Sequence, residues 1–229
     1  SHETLKRITT NHKEHQFYFI FDRVYSENFI YSSNITPIVA YPQARHPYLW
    51  YLFFEYGIPQ KLKKIKPDLF LSTDGWVPLK AKCDVVNVIH DLNFEHFPEF
   101  IKPKTRNYYN KYFHQFAKKS TRIATVSNYT KDDINKLYSI PLDIIDVVYN
   151  GSNSCYKPLD DIQKENIKKE YTNGNDYFLF VGTIHKRKNL DNIFRAFDKF
   201  KKENNNNIKF VVVGNKKWWA GDIEDSYNK

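Results

Sequence analysis

Methionine is absent from all 229 residues, and cysteine occurs only twice, as Cys83 and Cys155. Two cysteines so far apart, outside any CxxC pair, form neither a disulfide scaffold nor a zinc site of ordinary spacing. A reducing cytoplasm is therefore the expected compartment. No apolar run approaches the roughly 20 residues of a membrane-spanning helix. No segment joins a basic start, an apolar middle and a small-residue cleavage site, so no signal peptide is read. A Walker loop and a GxGxxG are also missing, and no repeat of fixed short period appears.

What is there suits a soluble globular chain: 41% of residues are apolar and 27% are charged, a balance that argues against disorder. Lys and Arg number 35 against 26 for Asp and Glu, a formal net charge of +9. That excess points to an anionic partner. Nucleic acid, an anionic membrane surface and a phosphorylated small molecule all satisfy it. The cations are spread along the whole chain, as on any solvated basic surface.

Residues 1–8 read as the tail of an amphipathic helix. The run Phe17-Tyr18-Phe19-Ile20-Phe21, bounded by Asp22 and Arg23, reads as a buried strand. A helix leading into such a strand is half of a βαβ unit whose first strand lies upstream. At the other end the sequence stops soon after another strand. The chain is accordingly expected to be a fragment of a longer protein.

Short apolar strands then alternate with helices. Strands are predicted over 35–40 (weakened by Pro37), 69–71, 84–89, 122–126, 144–149, 177–181 and 208–213. Residues 47–64 are helical in parts. A helix over 104–119 carries Tyr109, Tyr112, Phe113, Phe116 and Ala117 on one face. Core packing suits that face better than a nucleic-acid stripe, although its lysines suit a membrane-surface or acceptor patch. Thr130-Lys131-Asp132-Asp133 has the pattern of a capping box. From 190 to about 202, Leu190, Ile193, Phe194, Phe197 and Phe200 recur at helical spacing. Residues 152–176 are polar and turn-rich and form the best boundary. The organisation is therefore a domain over 1–152, a linker over 153–176 and a partial second domain over 177–229. Only two strands and one helix are read in that second piece, too few for a proper core. The alternation implies an α/β fold with parallel sheets covered on both faces.

In open parallel sheets ligands bind at the carboxyl ends of strands, which singles out Thr73-Asp74-Gly75, His90-Asp91, Ser127, Asn150-Gly151, Gly182-Thr183 and Gly214-Asn215. In the segment Val181-Gly182-Thr183-Ile184-His185-Lys186-Arg187-Lys188-Asn189-Leu190, Gly182 turns the backbone off its strand and Arg187 and Lys188 occupy the turn before a helix. Asn189 suits the N-cap and Asp191 the first turn. A helix N-terminus beside two cations makes a diphosphate site. A plain solvated basic turn accounts for the same residues. His90 at a strand tip suits a bond to a substrate hydroxyl or a general base; with Asp91 it also suits a simple cap of the turn. Glu95, His96 and Glu99 are read as loop residues, not as a metal cluster with His90. Trp218-Trp219 suits a ligand platform or a surface for an absent partner.

Four segments in order, Val88-Ile89-His90-Asp91-Leu92, residues 122–127, Val148-Tyr149-Asn150-Gly151 and residues 181–190, resemble the retaining, family-4 type glycosyltransferases of the GT-B fold (glycosyl transferase group 1). The resemblance covers nearly the whole chain. It implies two Rossmann-like domains, the first here without its initial strand and the second incomplete. It also implies transfer of a hexose from a nucleoside-diphosphate sugar to a saccharide or lipid-linked acceptor, with retention. His90 resembles the histidine that contacts the transferred sugar, and Arg187 with Lys188 the pair that holds the donor diphosphate. Gly182 matches the glycine that allows close donor approach. Asp91, Ser127, Asn150 and Gly151 fall at the expected cleft.

No metal and no cofactor is required on this reading, since the cations supply the charge, and no nucleic-acid partner is expected. The cytoplasm stays the expected compartment from the cysteine usage, with a place at the inner face of the membrane as the further expectation. The resemblance also places a glycine loop ahead of Ser1 and an acidic E-x7-E-type motif beyond Lys229, so the chain alone is expected to be inactive. A sugar-nucleotide epimerase of the same fold and a non-catalytic domain for an anionic surface are the competing readings.

Overall fold

The computed structural model describes residues 2–215 together with Glu224 and Tyr227. Trp218 and Trp219 lie outside the described residues. The chain divides into two compact units, Ser1–Asn153 and Ser154–Lys229.

The first unit begins with helix α1 (His2–Asn11), strand β1 (Phe17–Phe21) and strand β2 (Ile35–Val39). β1 and β2 form a parallel pair, from Phe17 opposite Ile35 to Phe21 opposite Val39. Pro37 is tolerated in β2 because the strand has β1 as its one neighbour among the described strands, so its missing N–H breaks no ladder. Helix α2 (Pro47–Leu52), a π-helical turn (Phe53–Gly57) and helix α3 (Ile58–Ile65) follow without a break. Pro47 opens α2, where its lost N–H costs nothing. Pro59 is the second residue of α3, directly after the π-helical turn that has already interrupted the regular ladder.

A second parallel sheet has the order β3-β4-β5-β6, from β3 (Leu69–Ser72), β4 (Asp84–Ile89), β5 (Arg122–Thr125) and β6 (Ile145–Val147). Helices α4 (Asn93–His96) and α5 (Pro103–Lys119) lie between β4 and β5, and α6 (Asn128–Tyr138) lies between β5 and β6. Parallel neighbours demand such crossovers, and the helices cover the faces. β4 is covered deeply enough that Val85, Asn87 and Ile89 are fully buried. α5 buries Tyr108, Phe113, Phe116 and Ala117. The aromatic face is thus shifted from the predicted one: Tyr109 and Tyr112 stay half-buried, and Tyr108 takes the interior place. Gly75 adopts φ +87, and a Cβ there would lie 2.8 Å from Phe113 Cζ. Only glycine lets the loop after β3 press on α5.

The start of α6 corrects the predicted capping box. Ser127 is the N-cap, and its Oγ accepts from the Thr130 amide at 3.2 Å. Thr130 is therefore inside the helix and buried. Asp133 does not reach back to a cap; its carboxylate meets His96 instead. The strand predicted over 144–149 is shorter, because residues 142–144 form a 3-10 turn and the ladder ends at Val147.

The second unit holds helix α7 (Asp161–Thr172), strand β7 (Tyr177–Val181), helix α8 (Leu190–Glu203) and strand β8 (Lys209–Val213). α7 lies inside the stretch read as a polar boundary. Its start is a full capping box, in which Asp160 accepts from the Gln163 amide and Gln163 returns the bond to the Asp160 amide. β7 and β8 pair in parallel, from Tyr177 opposite Lys209 to Val181 opposite Val213. Ile184, Leu190 and Phe194 form the buried cluster of this unit.

Candidate functional site

His90 is the residue immediately after β4, exposed at the strand tip. Its Nε2 lies 2.9 Å from the Thr73 carbonyl oxygen. A carbonyl only accepts, so Nε2 carries the hydrogen, and Nδ1 of the neutral ring keeps its lone pair. The His90 carbonyl in turn accepts from Thr130 Oγ1 at 3.4 Å. Ser127 Oγ stands 3.0 Å from that same hydroxyl. Two of the predicted residues, His90 and Ser127, are thereby joined through Thr130.

Asp91 turns its Oδ1 to the Asn93 amide at 3.0 Å, the simple turn-capping use of an aspartate. Asn150 and Gly151 are exposed beyond β6. No described hydrogen bond links them to the His90 group.

The segment after His90 is held by bonds that no local pattern announces. Glu95 and His96 belong to the short helix α4 rather than to a loop. His96 Nε2 donates to Asp133 Oδ2 at 2.6 Å, and the Asp133 side chain is only 11% exposed. Glu95 Oε1 accepts from the Tyr138 hydroxyl at 2.6 Å. Burial first, and then that bond to Glu95, push the Tyr138 phenol far above its ordinary range. Leu92 and Phe94 are buried between these anchors. Thr130, Asp133 and Tyr138 of α6 therefore fasten the stretch 90–96 along its length. Sequence reasoning misses these three residues as part of the site, since their partners lie 40, 37 and 43 positions away.

The basic elbow lies in the second unit. β7 ends at Val181, and the Gly182 amide donates to the Val213 carbonyl at 2.9 Å. A Cβ on Gly214 would collide with the Gly182 carbonyl oxygen, so the strand ends approach as closely as they do only because Gly214 has no side chain. Ile184 is buried and anchors the next turn. His185 Nδ1 accepts from the Arg187 amide at 3.2 Å and opens a 3-10 turn, Lys186–Lys188. All three of its residues are exposed, and no described ion pair engages any of them.

Asn189 precedes α8 as predicted, but it does not cap with its side chain. It adopts φ +55, ψ +38, and its Oδ1 accepts from Asn192 Nδ2 at 2.9 Å. The first turn of α8 thus has no side-chain cap from Asn189, and three cations precede it. Arg187 and Lys188 sit where amides and positive charge favour an anion such as a diphosphate.

Each unit matches a known protein family. Residues 11–154 match the family described as Glycosyltransferase Family 4. Residues 161–226 match the family described as Glycosyl transferases group 1. O-antigen chain mannosyltransferase B of Escherichia coli is 26% identical over 159 residues, covering 69% of this chain and 41% of that protein. O-antigen chain mannosyltransferase RfbU of Salmonella typhimurium LT2 is 26% identical over 181 residues, covering 79% of this chain and 46% of that protein. The chain thus spans less than half the length of these curated relatives. A solved glycosyltransferase from Rickettsia africae ESF-5 superposes with a TM-score of 0.64 at 16% identity, covering 98% of this chain and 59% of that one. That likeness establishes the fold, an α/β architecture of Rossmann-type parallel sheets as in GT-B enzymes.

Proposed function

The chain belongs to glycosyltransferase family 4, and from that premise we propose that the protein transfers a hexose from a nucleoside-diphosphate sugar to a saccharide or lipid-linked acceptor, with retention of anomeric configuration. The observation that carries the reading is the elbow Lys186–Lys188, exposed and free of described ion pairs, opening directly into α8. The names of the two curated relatives support mannose as the hexose and polysaccharide assembly as the setting.

The chemistry follows from where charge develops. Breaking the bond between the anomeric carbon and phosphate sends an electron pair to the departing diphosphate. Fixed cations and helix amides favour that charge more in the transition state than in the bound donor, which is what lowers a barrier. Arg187 bridges two phosphate oxygens and Lys188 adds a point charge. No metal is needed for this neutralisation. His90, with Nε2 engaged by Thr73, offers Nδ1 as acceptor for a hydroxyl of the transferred sugar. The Thr73 carbonyl directs that ring, and Thr130 of α6 holds the backbone that carries it, as preorganisation requires. Ser127 supports His90 through Thr130, and Gly182 gives the donor room. Asp91, Asn150 and Gly151 follow strands of the same unit as His90. Among the described residues no helix is long and apolar enough to cross a membrane. A lipid-linked acceptor would present its sugar at a membrane surface, where a net charge of +9 favours anionic lipid.

The test is turnover of the full-length protein with GDP-mannose and with UDP-hexoses, product configuration being read by NMR. Lys188→Ala should lower kcat by about 100-fold or more with an unchanged unfolding midpoint. Wild-type turnover in that variant would remove the elbow from the mechanism. Conversion of the donor sugar without transfer would replace the reading by an epimerase.

A further inference from the structure

The turn between α1 and β1 brings together two imidazoles and a carboxylate that the proposed transfer does not use. His12, Glu14 and His15 each offer one ligand atom, and the three atoms lie within 4.8 Å of one another. His12 Nδ1 stands 2.9 Å from Glu14 Oε1, and His15 Nε2 stands 3.8 Å from the same oxygen. Around a tetrahedral zinc with Zn–N of about 2.0–2.1 Å, neighbouring ligand atoms are roughly 3.3 Å apart. The two separations to Glu14 need shifts of about half an ångström, and the two imidazole nitrogens, within 4.8 Å of each other, close on the ion by side-chain torsions.

The backbone that carries these groups is pinned. Asn34 is buried, and its Nδ2 donates to the His12 and His15 carbonyls, each at 2.9 Å. Ser32 hydrogen-bonds Asn34 Oδ1 from the other side. The lysine inside the turn, Lys13, is drawn off to Ser32 Oγ at 2.6 Å, which removes it as a competitor for Glu14. The His15 ring rests edge-on against Phe17, and the His12 and His15 rings lie within 24° of parallel. The side chains of His12, Glu14 and His15 are 53%, 62% and 66% exposed, and an ion reaches them directly from solvent.

We propose that this turn binds one divalent transition-metal ion through His12 Nδ1, Glu14 Oε1 and His15 Nε2, with water completing the shell. Imidazole and carboxylate together suit zinc, nickel or copper rather than magnesium or calcium. Metal at Nδ1 takes the neutral His12 tautomer with its hydrogen on Nε2, so the hydrogen between His12 Nδ1 and Glu14 Oε1 is exchanged through solvent to Nε2 and the ring stays neutral. The ion would tie the end of α1 to the start of β1. The turn enters β1 at its amino end, whereas His90 follows β4 at its carboxyl end, and no described hydrogen bond or ion pair joins the two groups. The site is therefore distinct from the proposed transfer chemistry.

The experiment is calorimetric titration of the reduced chain with zinc chloride, compared with the H12Q/H15Q double variant. Both histidines are exposed, so the double variant keeps its fold, which circular dichroism verifies. The proposal expects saturation at one zinc per chain in the wild type, weaker binding in Glu14→Gln, and loss of saturable binding in the double variant. An isotherm unchanged in the double variant would assign the zinc to Cys83, Cys155 or other histidines and overturn the site. An absence of binding in the wild type would overturn it as well.

Discussion

The two units follow one plan and differ in how fully it is covered. In the first, β4 and β5 each have ladder neighbours on both sides, and one buried cluster of apolar side chains runs from Ala40 to Ile145. In the second, β7 and β8 have only each other among the described strands, and Ile184, Leu190 and Phe194 make up the buried cluster. Leu179 and Val181 of β7 are 55% and 68% exposed. Hydrophobicity does not explain the contrast, because Tyr177-Phe178-Leu179-Phe180-Val181 is more apolar than Asp84-Val85-Val86-Asn87-Val88-Ile89. Neighbours explain it. A parallel strand buries both faces only when other elements lie on both, so an apolar run tells what a strand is able to bury rather than what it does bury.

Core truncation probes this contrast most directly. Phe116→Ala, at a site 1% exposed, should cost about 3–5 kcal/mol. Phe194→Ala should cost at least about 1 kcal/mol less, because Phe194 is 8% exposed and the described buried cluster around it is smaller. Native-state hydrogen exchange, read separately in β4 and β7, measures both, and equal costs would erase the distinction between the units.

The bonds that fasten α4 come next. His96→Ala strands the nearly buried Asp133 carboxylate and should cost about 1–3 kcal/mol. Exchange should rise along residues 91–96 and stay unchanged in β7. Rigid protection of that stretch in the variant would show that Glu95 and Tyr138 suffice alone.

The two helix starts differ by a smaller amount. Ser127→Ala removes a real cap and should cost about 1 kcal/mol. Asn189→Gly removes a side chain that caps nothing and relieves a left-handed backbone, so its effect should stay under about 0.5 kcal/mol. Urea midpoints decide between this order and equal capping.

The smallest effect is acid sensitivity in the first unit. The Arg23 guanidinium, helped by the Ala44 amide, holds the Asp22 carboxyl below its ordinary range against the opposing effect of burial. A depressed folded-state pKa stabilises above the unfolded value, and that contribution disappears as pH falls through the folded one. The wild-type midpoint should therefore drop slightly more on acidification than that of Asp22→Asn. Parallel curves would show that the pair contributes nothing.

Much of the framework is legible locally. Each predicted strand has a counterpart, because continuous apolar runs bounded by polar residues suit a sheet covered on both faces. The turn before α8 is legible too, since Gly182 and the basic triplet punctuate it. Helix α7 escapes a local reading because its apolar stripe is thin, with Ile162, Ile167 and Tyr171 among charged neighbours. Its start is marked instead by Asp160 and Gln163, a capping pattern concealed in a stretch that otherwise reads as loop. Around Thr130 two capping patterns overlap, one from Ser127 and one from Thr130, and the point where β5 ends selects the first.

Amino-acid order by itself determined the strands, the principal helices and the placing of His90 and the Lys186–Lys188 elbow at strand ends, because those features depend on residues within a few positions of one another. The tertiary structure alone decided what His90 and its segment hold on to. Thr73 lies 17 positions from His90, Asp133 lies 37 from His96, and Tyr138 lies 43 from Glu95. No local preference encodes a partner at that distance; the fold brings the two ends of each bond together, and only then does a histidine at a strand tip acquire a fixed direction.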